Sequence, residues 1–243
     1  MAVEIVSVAY DVEATQGRLR ILGPMSLSFK TNSWTTILGP SGCGKSTLLS
    51  LLAGFTTPTE GQVQANIPCR PAVCFQRDTV FDWMSVEKQL LEASHNLPHN
   101  EQEKMVDELL EAVGLKDYRH YMPKQLSGGM RKRVELARAW ATKSEVVILD
   151  EPFSQLDTYL RIEVLASIEE LWMREPRTVV MVTHDIEESL VGDRILILDG
   201  PPATIIEEID LSKEGRPRAR EFRFSAKAVD IRHHIFDLLR RKQ

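Results

Sequence analysis

The sequence predicts an α/β protein, a mixed sheet with flanking helices, and three observations carry that prediction. Short, almost wholly apolar runs recur along the chain as "SWTTILG", "VVILDEP", "TVVMVTH" and "RILILD", the pattern of strands covered on both faces. Stretches with helical spacing stand between them: "KSTLLSLLAGF" is one, and Leu160, Val164, Ile168, Leu171 and Trp172 share a helical face in another. The first of the apolar runs leads straight into a glycine-rich loop and then a helix, the order a phosphate-binding loop requires.

Taken from the N-terminus, "VEIVSVAYDV" alternates imperfectly and reads as β, and "RLRILGPMSLSFK" continues the sheet after the turn-like "EATQGR". From about residue 85 to residue 142 the character changes to charged helical segments, "SVEKQLLEAS", "EQEKMVDELLEAVG" and "GMRKRVELARAWAT". These read as a helical subdomain inserted into the α/β core. The last stretch, "EGRPRAREFRFSAKAVDIRHHIFDLLRRKQ", follows the turn at Pro201-Pro202 and ends in a basic helix whose chemistry is not evident.

Composition narrows the class. With 243 residues, 43% hydrophobic and 27% charged, the chain suits one large globular domain and not a disordered one. A formal net charge of −5 argues against a general nucleic-acid binder. Cys43, Cys69 and Cys74 form neither a disulfide framework nor a CxxC metal pattern, which points to a reducing compartment. The N-terminus lacks the basic and apolar regions of a leader, and no window approaches the ~18 apolar residues of a membrane span. The expectation is a soluble cytoplasmic chain that would depend on another polypeptide to cross a membrane.

The chemistry is concentrated in three places. Residues 39–47 fit G-x-x-x-x-G-K-S/T, with Gly39, Gly44, Lys45 and Ser46 in the fixed positions. Glycines let the backbone N–H groups of Pro40-flanked Ser41, Gly42, Cys43 and Gly44 turn inward as an anion nest, and the helix that follows through Thr47 adds its positive end. Lys45 would reach the β/γ-phosphates, and the Ser46 hydroxyl would ligate Mg2+. Asp150 and Glu151, at the end of "VVILDEP", provide a carboxylate for the metal and one to orient or deprotonate a water. An Asp-Glu pair after a strand is otherwise a solvated strand end, and only the loop makes it specific. "LSGGMRKR" is a second glycine-rich helix start, with Ser127 as N-cap candidate and Gly128 and Gly129 exposing backbone donors.

With these motifs the chain resembles the ATP-binding subunit of ABC transporters over nearly all of its length. The ordered set is the Walker A loop at 39–47, Gln76 in "VCFQRD", the signature at 126–130, Walker B ending in Asp150 and Glu151, "SQLD" at 154–157, and His184 in "MVTHD". The resemblance implies a P-loop NTPase core of ABC type with an N-terminal antiparallel β subdomain: residues 1–84 and 143–210 as the core, 85–142 as the helical signature subdomain, and 211–243 as a tail helix. It also implies that two chains close head to tail over two ATP molecules, each site taking Walker A from one chain and Ser127 and Gly129 from the other. Gln76 would join the γ-phosphate and Mg2+ site to the helical subdomain, His184 would contact the γ-phosphate and position Glu151, and Asp157 would tie the two sites together. Tyr10 matches the aromatic that stacks on adenine, or is an edge-strand tyrosine. Three departures stand out: Met130 and Lys132 where glutamines are common, and Gln155 where alanine is typical.

The segment "FDWMSV" and the Pro217-Arg218 tail are similar to importer ATPases for nitrate, for sulfonates such as taurine, and for thiamine pyrimidine precursors. The short stretch after "RILILDGPPATII" leaves little room for the regulatory domain of sugar-importer ATPases. Val80, Phe81, Trp83 and Met84 form an apolar cluster suited to receive a helix from a membrane subunit, or else belong to the subdomain core. The resemblance implies an importer: an ATPase homodimer at the cytoplasmic face of the inner membrane, two permease subunits, an extracytoplasmic solute-binding protein, and no nucleic acid. The alternative is a soluble ABC ATPase acting as an assembly factor of the iron–sulfur type.

Overall fold

Alternating apolar residues set the first layer, an antiparallel sheet of β1 (Val3–Ala14), β2 (Gly17–Phe29) and, further along, β4 (Glu60–Ala65), in the order β2-β1-β4. The computed structural model describes residues 3–14, 17–65, 70–77 and 79–240; Cys69 and part of "EATQGR" lie outside them. Between β2 and β4 come β3 (Trp34–Leu38) and α1 (Lys45–Leu52). Next are β5 (Ala72–Cys74) and three helices, α2 (Val86–Ala93), α3 (His99–Ala112) and α4 (Gly128–Ala141). The chain then alternates through β6 (Val146–Asp150), α5 (Thr158–Arg174), β7 (Thr178–Thr183) and α6 (Ile186–Ser189). It closes with β8 (Arg194–Asp199), β9 (Thr204–Asp210) and α7 (Ala226–Arg240).

The main sheet has the order β5-β6-β7-β3-β8-β9, parallel except for the antiparallel edge strand β9. Period-two alternation divides its central strands between two cores. Val147 and Leu149 of β6, with Val179 and Met181 of β7, face the helical side formed with α2 to α5; Val146, Ile148, Val180 and Val182 face α1 and the antiparallel sheet. That two-sided burial is why these strands read as unbroken apolar runs. The strand β9 gives no such signal because its outer face is wet: Thr204, Glu208 and Asp210 are exposed.

Helix starts follow local chemistry. Ser85 caps α2, Ser127 caps α4 and Asp157 caps α5, each side chain accepting a backbone N–H three residues on. The tail, opaque in sequence, is built into the fold. Ala228, Ile231 and Ile235 of α7 are buried against Ile195 and Ile197 of β8. Arg218, 1% exposed, donates to the carbonyls of Gly192, Leu211 and Glu214 and to Asp193. Among the described residues no helix is long and apolar enough to cross a membrane.

Candidate nucleotide site

Parallel pairing in close register brings four adjacent strands to one edge of the sheet. Cys74 pairs with Leu149, Asp150 with Val182, and Leu38 with Thr183. The residues just beyond those strand ends, Gln76, Glu151, His184 and the glycine loop, therefore emerge side by side, where ligands of α/β sheets bind.

The loop depends on two glycines for distinct reasons. A Cβ on Gly39 would stand 2.6 Å from the Leu198 carbonyl of β8, so no side chain fits there. Gly44 has φ +110°, and its Cβ would lie 2.9 Å from a Leu22 methyl. As N-cap of α1, Gly44 has no side chain to satisfy the first-turn N–H groups, so these donors converge on the loop interior. Lys45 is 5% exposed, and its ammonium donates to the carbonyls of Gly39 (2.8 Å) and Pro40 (2.7 Å). Cys43 turns inward to the core, where burial pushes its thiol pKa up.

The carboxylates lie against this loop. Ser46 Oγ donates to Asp150 Oδ1 at 3.4 Å. Burial pushes the Asp150 carboxyl above the usual range, against the lowering effect of the Ser46 hydrogen bond; Glu151 adds to the rise, while Lys132 and Lys45 oppose it. Glu151 sits at φ +46°, a left-handed conformation unusual for a residue with a side chain, and its N–H donates to the Val182 carbonyl at 3.0 Å. Its Oε2 accepts from Gln76 Nε2 at 3.2 Å, and its Oε1 lies 3.3 Å from His184 Nδ1.

A cavity of about 400 Å3 opens here, with Ser41, Gly42, Gly44, Lys45, Ser46 and Thr47 on one side and Gln76 and Glu151 at its end. Its apolar wall is Val12 and Ile21. Tyr10 is not among the lining residues; it pairs with Leu22 and packs half-buried against the core beneath. Sequence reasoning missed Val12 and Ile21, although both flank the hairpin turn that precedes the loop. Ser127, Gly128, Gly129 and Asp157 do not line the cavity either. The two glycines face Gln155 instead: a Cβ on Gly128 would be 3.1 Å from Gln155 Oε1, and one on Gly129 would be 3.2 Å from the Gln155 carbonyl. A single chain thus presents two separate surfaces, the glycine loop with its carboxylates and the signature with the 154–157 segment.

Among the described residues no three His, Cys, Asp or Glu side chains cluster as a metal cage. The Ser46 hydroxyl and Asp150 carboxylate are hard oxygen donors beside a phosphate loop, which fits Mg2+, a cation held by one or two carboxylates with substrate phosphates and water.

A phosphate loop, a carboxylate pair on the next strand but one and a helical segment opening on Ser-Gly-Gly define an ATP-binding cassette. The chain belongs to the ABC transporter family, whose model matches residues 22–154. It is 32% identical to the taurine import ATP-binding protein TauB of Jannaschia sp. (strain CCS1), over 98% of this chain and 93% of the relative. It is 41% identical to the nitrate import ATP-binding protein NrtD of Synechococcus elongatus, over 81% and 76% respectively. Its fold superposes with a TM-score of 0.76 on the dimeric ATP-binding cassette MJ0796 in a post-hydrolysis state with ADP and Pi, at 26% identity, covering 86% of this chain and 98% of that one. The chain is an ATPase of this family.

Proposed function

We propose that this chain energises the import of a small oxyanion-type solute, in the manner of the nitrate and taurine relatives, as a homodimer beneath two membrane permease subunits. A solute-binding protein outside the membrane would deliver the cargo, and the ATPase would work at the cytoplasmic face. The observation that carries the reading is the convergence of Gln76, Glu151 and His184 beside Lys45, Ser46 and Asp150 at one strand edge. In this reading residues 1–84 and 143–210 form the core, 85–142 the signature subdomain and 211–243 the tail.

Catalysis rests on positioning and electrostatics. Lys45 and the loop amides offset phosphate charge, and Ser46, Asp150 and Gln76 hold Mg2+, which supplies further charge neutralisation when bound. Glu151 orients the attacking water and accepts its proton, while His184 fixes the Glu151 carboxylate and contacts the γ-phosphate. Val12 and Ile21 give the base an apolar wall, with Tyr10 two residues before Val12 on the same strand. The separation of Ser127, Gly128, Gly129 and Asp157 from the loop supports completion of each site by a second chain.

Of the proposed coupling cluster, Val80 packs partly buried against the helical-side core, Phe81 and Met84 are half-buried, and Trp83 stands out. Trp83 is 72% exposed, its ring stacked on Phe81 at 5.3 Å, and a second exposed aromatic pair, Phe55 and Phe75, stacks at 5.6 Å. This supports a docking role for Trp83 over a place in the subdomain core. The relatives described above are import subunits, and nothing among them favours the assembly-factor alternative. Co-purification from native membranes in mild detergent, followed by mass spectrometry, tests the proposal. Recovery with a multi-span permease is expected; recovery only with soluble scaffold proteins would overturn it.

A further inference from the structure

One cluster of charges lies outside the chemistry assigned above. Lys132 is 0% exposed and Glu135 is 1% exposed, one turn apart on α4, and they form a buried pair at 3.2 Å. Their remaining hydrogen-bonding capacity is spent on one short backbone segment. Lys132 Nζ donates to the Phe75 carbonyl and, at 3.3 Å, to the Gln76 carbonyl. Glu135 Oε1 accepts from the Thr79 N–H. A further turn along the helix, Arg138 donates to the Thr79 carbonyl and hydroxyl at 2.8 Å each. It also lies over the Phe81 ring at 4.7 Å.

A buried ion pair is a poor device for stability, since well-packed apolar side chains of similar size usually do as well or better. What an apolar pair cannot do is grip two carbonyls and an N–H. The segment gripped is the one whose Gln76 side chain reaches Glu151 and whose next residues carry Phe81 and Trp83. The gripping helix is the one that Ser127 opens.

We infer that Lys132 and Glu135 are positioning residues: they fasten the main chain of Gln76 and Thr79 to the signature helix, so that movement of α4 is transmitted to the Gln76–Glu151 contact and to the Phe81–Trp83 surface. This rests on the roles of Gln76 and Glu151 proposed above. Neither side chain touches nucleotide. Each acts through the backbone of the segment it holds.

The test compares K132M/E135L, which keeps volume and loses the grip, with K132Q/E135Q, which keeps amide donors and acceptors. Melting temperature, mant-ATP affinity, steady-state phosphate release and hydrogen exchange are measured on the full chain. K132M/E135L is expected to melt near the parent and bind mant-ATP within about threefold, but to lose roughly 10- to 100-fold in kcat, as misplaced catalytic groups do. Its exchange should rise only in the peptide containing Gln76 and Thr79, and K132Q/E135Q should recover most of both losses. Unchanged kcat and unchanged local exchange overturn the inference. So does a loss of kcat matched by a fall in melting temperature and faster exchange throughout the chain. If K132M/E135L does not fold, E135L alone, which removes the acceptor of the Thr79 N–H while Lys132 keeps its two carbonyl partners, is held to the same two outcomes. E151Q run in parallel separates the two failures: full turnover by E151Q removes the hydrolytic reading of the site, whereas exchange at Gln76 and Thr79 reports on the fastening regardless.

Discussion

His184 Nδ1 stands 3.3 Å from Glu151 Oε1, and the two residues reach each other from the ends of adjacent parallel strands. Glu151 holds a left-handed backbone at φ +46° to make that approach, with Gln76 on its other oxygen. Backbone strain of this kind persists where the surroundings over-determine it, commonly at functional sites.

The first prediction concerns that carboxylate. Replacing Glu151 by Gln keeps the shape and the contact with Gln76 and removes the base. Hydrolysis should fall by about 100-fold or more, the usual worth of general-base catalysis. ATP binding should stay within a few-fold, because Lys45 and the loop amides are untouched. Phosphate release and equilibrium nucleotide binding, measured on the same preparation, check it. Near-normal turnover would remove Glu151 from its role.

Asp150 separates metal binding from stability. Burial raises its pKa, so the folded state holds the proton more tightly than the unfolded one. The stabilising effect of that proton is present below the unfolded pKa and is lost as pH rises through the folded value. Above that value the charged carboxylate is a local cost, and D150N should there be at least as stable as the parent in the absence of nucleotide. Its Mg2+-stimulated hydrolysis should nevertheless collapse. Thermal melting without nucleotide and a Mg2+ titration of activity together test the claim; a destabilised D150N with normal Mg2+ response would refute it.

The sheet core was legible because burial on both faces leaves a compositional trace in four strands, and the glycine loop was legible because its spacing is dictated by backbone geometry. Side-chain contacts between distant segments leave no such trace. Val12 and Ile21 line the cavity only because a hairpin with register shifts folds over the loop. The grip of Lys132 on the Phe75 and Gln76 carbonyls joins residues 56 or 57 positions apart, and in sequence Lys132 is only a departure from a motif. The tail was opaque for the same reason: Arg218 is polar in composition and buried in fact.

That burial gives a stability prediction. Glu169, 0% exposed, accepts from the N–H groups of Arg218 and Ala219 and from the Arg216 guanidinium. Removing one member leaves buried charges and carbonyls without partners, a loss of about 3 kcal/mol or more. R216A and E169A should each lower the urea midpoint strongly, and the double variant should lose less than the sum of the two, because the Arg216 guanidinium donates to Glu169. Exact additivity would mean that tail and α5 are not linked through these groups.

The last prediction is a pH dependence centred on the short helix after His184. Glu188 is 4% exposed, and burial pushes its pKa up to about 7 from the usual 4.5; the Thr183 hydroxyl hydrogen bond, Arg161 and His184 oppose the rise and Asp185 reinforces it. The sign follows from proton binding. Between those two values the unfolded chain has released the proton while the folded chain keeps it, so stability falls as pH rises across that window. The gap corresponds to about 3 kcal/mol. Gln at this position accepts the Thr183 hydroxyl as the acid does and has no proton to lose. E188Q and the parent should therefore match in unfolding free energy near pH 4.5, and E188Q should gain progressively on the parent up to about pH 8, a comparison in which the titration of other groups cancels. Urea denaturation of both proteins at several pH values measures the difference directly. A difference that stays flat with pH would mean that Glu188 is ionised throughout, held charged by Arg161, whose Nε lies 3.4 Å away.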